Sequence, residues 1–121
     1  MPVEYYQASI AGRDEVLLER VGMALTLWER FRGLMLRPDL PAEEGLLFPD
    51  CRSVHTCFMR FPIDLVYLAD DNEVVKIVEA RRPWRLSACL RAHSVLETAA
   101  GRCRDAGLTV GDALIFRVQK G

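Results

Sequence analysis

SVHTCFMRFPIDLVYL, residues Ser53 to Leu68, is the stretch whose reading decides the fold. It is the longest apolar run in the chain, yet it contains a histidine, an arginine and an aspartate. A segment bound for a core excludes such groups unless they are paired or used. Strand alternation sets Ser53, His55, Cys57 and Met59 on one face and Val54, Thr56 and Phe58 on the other. Pro62 has no N–H to donate and interrupts the ladder. Because Phe61 precedes it, the bond also admits a cis form. From Ile63 the strand resumes, with Ile63, Leu65 and Tyr67 on one face and Asp64, Val66 and Leu68 on the other. Both faces are largely apolar, so Ile63–Ala69 is expected to be a central strand covered on both sides.

Working outward, Asp70-Asp71-Asn72 is a reverse turn, and Glu73 to Ala80 returns beside Ile63–Ala69 as a hairpin partner. Upstream, Tyr5–Ile10 and Glu15–Arg20 read as strands joined by Ala11-Gly12-Arg13-Asp14, and Ala24–Trp28 extends the second. The period then becomes helical: Leu27, Phe31, Leu34 and Met35 fall on one face, with Thr26 as N-cap and Glu29 three residues on. Pro38 and Pro41 end that helix. Leu46–Phe48 is a short strand closed by Pro49-Asp50. Downstream, Arg81–His93 is poorly patterned and reads as a loop around Pro83 and Trp84. Ser94–Glu97 is a short strand, and Thr98–Ala106 a short helix stopped by Gly107. Val110-Gly111-Asp112 turns into a last strand, Ala113–Val118.

The 121 residues fit one domain, 1–121, with its own core. Half the residues are apolar and 27% charged, which is globular composition rather than that of a disordered chain. A net charge of −1 argues against a general nucleic-acid binder. The charge is nevertheless uneven, since Arg81 to Arg104 holds six arginines and a single acid, Glu97. The first reading of that segment is a solvated arginine-rich loop; the second is a face for an anionic ligand. Met1 to Ala11 lacks the basic start and apolar core of an export signal, and no apolar run reaches the roughly 18 residues of a membrane helix. The chain is therefore expected to be cytoplasmic, with Cys51, Cys57, Cys89 and Cys103 as reduced thiols.

Four groups carry chemistry in this reading. Asp64 sits among Ile63, Leu65 and Val66, where its charge must be suppressed or compensated. The structural reading, a carboxylate bonded to backbone N–H groups at the Pro62 break, stands ahead of a general acid/base or ligand anchor. His55, facing the same side as Met59 and Cys57, is read first as a satisfied core histidine and second as a titrating pocket group. Glu97 lies between apolar and small residues and is expected to point inward. Arg32 is the natural counter-ion for a buried acid, because its planar fork matches a carboxylate.

Cys51, His55 and Cys57 could also gather as metal ligands, but no CxxC pair exists, so no metal is expected. Cys57, His55 and Asp64 supply the residue types of a nucleophilic enzyme. No G-x-S-x-G elbow or phosphate-binding glycine loop accompanies them, so no cofactor is expected either.

An ordered set of short pieces adds a second line of argument. Arg32-Gly33-Leu34-Met35, Glu44-Gly45-Leu46-Leu47-Phe48, His55-Thr56-Cys57-Phe58-Met59-Arg60-Phe61-Pro62-Ile63-Asp64, Leu96-Glu97 with Ala100-Gly101, and Val110-Gly111-Asp112 follow one another along the chain. Each is weak alone. Together, over about 26–118, the chain resembles the domain-of-unknown-function 192 family of small bacterial and archaeal proteins. The resemblance implies a compact domain rich in antiparallel strands and no particular activity. Many relatives carry an export signal that this chain lacks, so an extracellular role is not implied.

The expectation is thus a mainly β (β-rich α+β) fold, an antiparallel sandwich or barrel-like domain with one or two short helices. Arg32, His55, Met59, Asp64 and Glu97 are expected to converge on a shallow polar pocket near residues 53–68. The first functional reading is non-catalytic binding of a small molecule or peptide. The second is a hydrolase-like enzyme using Asp64 or Glu97 with His55, and the third an interaction scaffold docking through Trp84 and the arginine loop. Neither nucleic acid nor membrane is an expected partner, and the sequence leaves the oligomeric state open.

Overall fold

The computed structural model describes residues 5–23, 39–55, 61–82 and 85–119, with His55 and Val54 as backbone only. The strands are β1 (Tyr5–Ile10), β2 (Val16–Met23), β3 (Glu44–Pro49), β4 (Ser53–His55), β5 (Ile63–Leu68), β6 (Val74–Arg81), β7 (Leu86–Ala88), β8 (Ser94–Ala99) and β9 (Leu114–Gln119). One short helix, α1 (Arg102–Ala106), joins them among the described residues. The chain is mainly β, as its alternation indicates. The helix expected across Thr26–Leu36, the far half of the Ser53–Met59 strand and the Trp84 loop tip lie outside the described residues.

Seven strands form one sheet in the order β6-β5-β8-β3-β2-β1-β9, and β4 pairs with β7 as a separate ribbon. The ribbon corrects the reading of Arg81–His93 as a loop, because Leu86–Ala88 runs antiparallel to Ser53–His55. Three residues are too few for alternation to show. The large sheet is not wholly antiparallel either, since β2 and β3 run parallel, with Arg20 opposite Glu44 and Met23 opposite Leu47. Residues 24–43 intervene, long enough for the crossover that a parallel pair requires. The sheet is open rather than closed, but its two edges touch at one end through a Glu73–Ala113 bridge. Val74 N–H donates to Asp112 O and Leu114 N–H to Asn72 O beside it.

β5 behaves as expected of a strand covered on both faces: all six residues are buried. It pairs with β6 across the Asp70-Asp71-Asn72 turn, where Asn72 takes a left-handed φ of 67°. On its other side β5 pairs with β8, Asp64 opposite Thr98 and Leu65 opposite Glu97. The sheet therefore separates two apolar clusters. On one face Val66, Leu68, Leu96, Leu47 and Leu18 pack with Cys103, Ala106 and Leu108 of the α1 region. On the other, Ile63, Leu65, Tyr67 and Val95 pack with Leu40, Ala92, Phe61, Cys51 and Cys89. The Phe61–Pro62 bond is trans. Among the described residues no helix is long and apolar enough to cross a membrane.

Gly45 shows how tightly β3 is clamped. A Cβ there would lie 2.6 Å from Leu18 Cδ1 and 3.0 Å from the Glu97 carbonyl oxygen. The glycine of the Glu44–Phe48 piece is thus a packing requirement of the β2–β3–β8 junction.

Candidate functional site

Two buried carboxyl groups dominate the centre of the sheet, on adjacent strands. Asp64 of β5 is fully buried on the α1 side. Its Oδ1 accepts the Ala80 N–H at 2.8 Å, and its Oδ2 accepts the N–H groups of Gly101 at 3.2 Å and Cys103 at 3.1 Å. Gly101, at φ 90°, is the N-cap residue of α1 and has no side chain to cap with. Asp64 supplies that cap from another strand. The other oxygen of the carboxylate, Oδ1, holds the β6 bend, where Ala80 adopts a left-handed φ of 50°. Asp64 is bonded to backbone N–H groups, but these come from β6 and the start of α1 rather than from the Pro62 break.

α1 is tied at both ends by further groups. Arg102 Nε donates to Leu17 O at 2.9 Å, and Arg13 Nη1 donates to the carbonyls of Ala106 and Gly107. Cys103 packs under Asp64. Burial, with Asp64 beside it, pushes the Cys103 thiol up to about 12, so it is an inert core thiol at neutral pH.

Glu97 of β8 is different in every respect. Opposite Leu65 and Leu46 in register, it faces the other side of the sheet, toward the Leu65–Tyr67–Val95 cluster. It is 3% exposed, and among the described residues its Oε2 has no hydrogen-bond partner. Loss of solvation pushes its carboxyl up from 4.5 to about 8, which leaves it protonated at neutral pH. A protonated carboxyl offers both a donor and an acceptor. Another polar group of that face, the Tyr67 hydroxyl, is satisfied by Ser87 Oγ at 2.7 Å; burial raises its pKa.

This arrangement corrects the expected convergence. Asp64 and Glu97 do not meet, because the β5–β8 register places them on opposite faces. An acid–base pair of the two is not formed. Arg32 and Met59 lie outside the described residues, as does the His55 side chain; among the described residues the partners of Asp64 are the three backbone N–H groups. Among the described residues no three His, Cys, Asp or Glu side chains gather as metal ligands. Sequence reasoning did not single out Arg81, whose buried Nε also lacks a partner among the described residues. The dense arginine content of the segment was the available signal.

Comparison with known proteins completes the description. The family model described as Uncharacterized ACR, DUF192, matches residues 8–116, beginning earlier than the 26–118 span of the motif set. A UPF0127 protein of Thermococcus sibiricus (strain DSM 12597 / MM 739) is 33% identical over 117 residues, covering 89% of this chain and 73% of that protein. The crystal structure of a protein of unknown function from Novosphingobium aromaticivorans DSM 12444 superposes with a TM-score of 0.80 at 25% identity, covering 90% of this chain and 83% of the other. That of a candidate transcription regulator from Sinorhizobium meliloti 1021 superposes at 0.82 and 26% identity, covering 95% of each chain.

Proposed function

The chain belongs to the DUF192 family, and we propose that it is a non-catalytic small-molecule binding module whose ligand is read by the Glu97 carboxyl. The observation that carries this reading is the unpartnered Oε2 of Glu97, buried among Leu46, Leu65 and Val95. A buried polar atom without a partner is costly, and a native core seldom keeps one without a use. A ligand that bonds the neutral carboxyl recovers that cost, and a site buried in an apolar layer suits a small molecule better than an extended peptide. The enzyme reading is weaker, since Asp64 is committed to three backbone donors.

The regulator label of the Sinorhizobium protein is not carried over, because a net charge of −1 offers little to a phosphate backbone. Free thiols at Cys51, Cys89 and Cys103 fit a cytoplasmic setting.

Ligand recognition by Glu97 is tested by native mass spectrometry on protein purified gently from cells, together with a thermal-shift screen of a metabolite library. Wild type is expected to carry or respond to a compound that a folded Glu97→Leu variant ignores. Identical responses of the two proteins to every compound defeat the reading.

A further inference from the structure

We propose that Cys51 and Cys89 form a modification site: a peroxide oxidises the pair to a reversible disulfide that locks the β4–β7 ribbon. The ribbon register sets Ser53 opposite Ala88, and one step further the Cys89 N–H donates to the Arg52 carbonyl at 2.9 Å. Cys51, the next residue, donates its own N–H to the His93 carbonyl at 3.0 Å. The chain turns at once after Cys89, whose carbonyl accepts the Ala92 N–H at 3.1 Å. Cys51 thus lies one residue away from the position opposite Cys89. With strands about 4.8 Å apart and a rise of about 3.3 Å per residue, that offset sets the two Cα atoms roughly 6 Å apart. Disulfides span about 4.4–6.8 Å between Cα atoms.

The two side chains also share a side of the ribbon. Both pack against the cluster of Ile63, Leu65, Tyr67 and Val95, and both are only partly buried. The Tyr67 hydroxyl, whose pKa is raised first by burial, is raised further by Cys89 and by Cys51, so both sulfurs lie near one oxygen. Cys103 is the contrast, buried in the cluster on the other face of the sheet. The Cys51 thiol donates to the Ser53 carbonyl at 2.9 Å, which leaves Cys89 to meet the oxidant first. Its sulfur, as the thiolate, attacks one oxygen of hydrogen peroxide. The S–O bond forms as the O–O bond breaks, and the departing oxygen leaves as water with the thiol's proton. The Cys51 sulfur then attacks the Cys89 sulfenic acid. The S–S bond forms, the S–O bond breaks, and a second water leaves with the Cys51 proton. Two thiols have lost two electrons, and one peroxide has become two waters. A reducing thiol reverses the step by exchange, so a reducing cytosol returns the pair to free thiols.

The test exposes the intact, reduced protein to hydrogen peroxide, alkylates the remaining thiols after denaturation and maps the peptides by mass spectrometry. A peptide linking Cys51 to Cys89 is expected, lost on treatment with dithiothreitol, while Cys103 is alkylated in full. Backbone amide exchange at Cys89 should slow at least tenfold in the oxidised protein. Cys51→Ser should abolish the link and leave a sulfenic acid at Cys89 that dimedone traps. Cys89→Ser should also abolish it and keeps the test open if the first variant folds poorly. Cys57→Ser should form the link as fast as wild type. A link from Cys57 to either thiol, a link between two molecules, or oxidation of Cys51 and Cys89 to sulfinic acids with no link overturns the pair. Amide exchange at Cys89 that oxidation leaves unchanged overturns the lock.

Discussion

Asp64 and Glu97 are both carboxyl groups buried in the middle of one sheet, on adjacent strands, and they have opposite fates. Asp64 faces α1, where a bent strand and a helix start each present backbone N–H groups to it. Glu97 faces an apolar layer in which its Oε2 finds no partner among the described residues. The strands are equivalent in depth, so burial alone does not decide what an acid does. The supply of donors on its face decides it. Asp64 joins three elements and is part of the scaffold; Glu97 is buried with an Oε2 that has no partner among the described residues.

The comparison breaks most visibly at Asp64. Asp64→Ala removes the acceptor of three backbone N–H groups, one bond buried and two part-buried, and should cost about 3–5 kcal/mol, with Asp64→Asn costing about 1–3 kcal/mol because an amide accepts less well. Urea unfolding midpoints measure both, and an Asp64→Ala protein of wild-type stability would deny Asp64 its place in the scaffold.

Glu97 should show the reverse signature, through pH. Its folded value of about 8 lies above its ordinary 4.5, so the folded state keeps a proton that the unfolded chain releases. Its contribution is fully present below 4.5 and is lost as pH rises through about 8, so stability should fall across that window by on the order of 4 kcal/mol. Glu97→Gln should flatten this slope and be the more stable protein above pH 8. A wild-type profile no steeper than that of Glu97→Gln would mean that Glu97 is compensated after all.

Packing around the two groups sharpens the contrast at a smaller scale. Gly45→Ala pushes a methyl group against Leu18 and the Glu97 carbonyl and should cost about 2 kcal/mol. Calorimetric melting would measure it, and a neutral result would mean that the β2–β3–β8 junction gives way easily. Smallest of all is the exposed Glu79–Arg104 pair. Arg104→Ala should change stability by less than about 1 kcal/mol, which separates a surface ion pair from a buried carboxylate in the same assay.

Much of this architecture is legible in the residues. Ile63–Leu68 announces a central strand by being apolar on both faces, and Asp70-Asp71-Asn72 announces its hairpin. Asp64 stands out as an acid where none belongs, and Glu97 as an acid flanked by small and apolar neighbours. Their separation onto opposite faces is not legible, because it depends on which residue of β8 lies opposite which residue of β5. Nor are the partners of Asp64. They are backbone N–H groups 16, 37 and 39 positions away, and a backbone donor leaves no mark in a sequence. The parallel β2–β3 pair was hidden for a similar reason: the apolar pattern of a strand carries no direction.

The capping of α1 by Asp64 also bears on the order in which the chain assembles. Five residues are far too few for a helix to persist alone, since isolated helices shorter than about 12 residues are marginal in water. Besides the local bonds from Gly107 and Leu108 N–H to Arg104 O and Cys103 O, what holds this one is distant in sequence: Asp64 at its start, Leu17 beneath Arg102, and Arg13 at its end. α1 can form only after β2 and β5 have come together, which makes it a late event in folding and a reporter of the finished sheet. Its Cys103 amide should therefore exchange with solvent only as fast as the whole molecule unfolds.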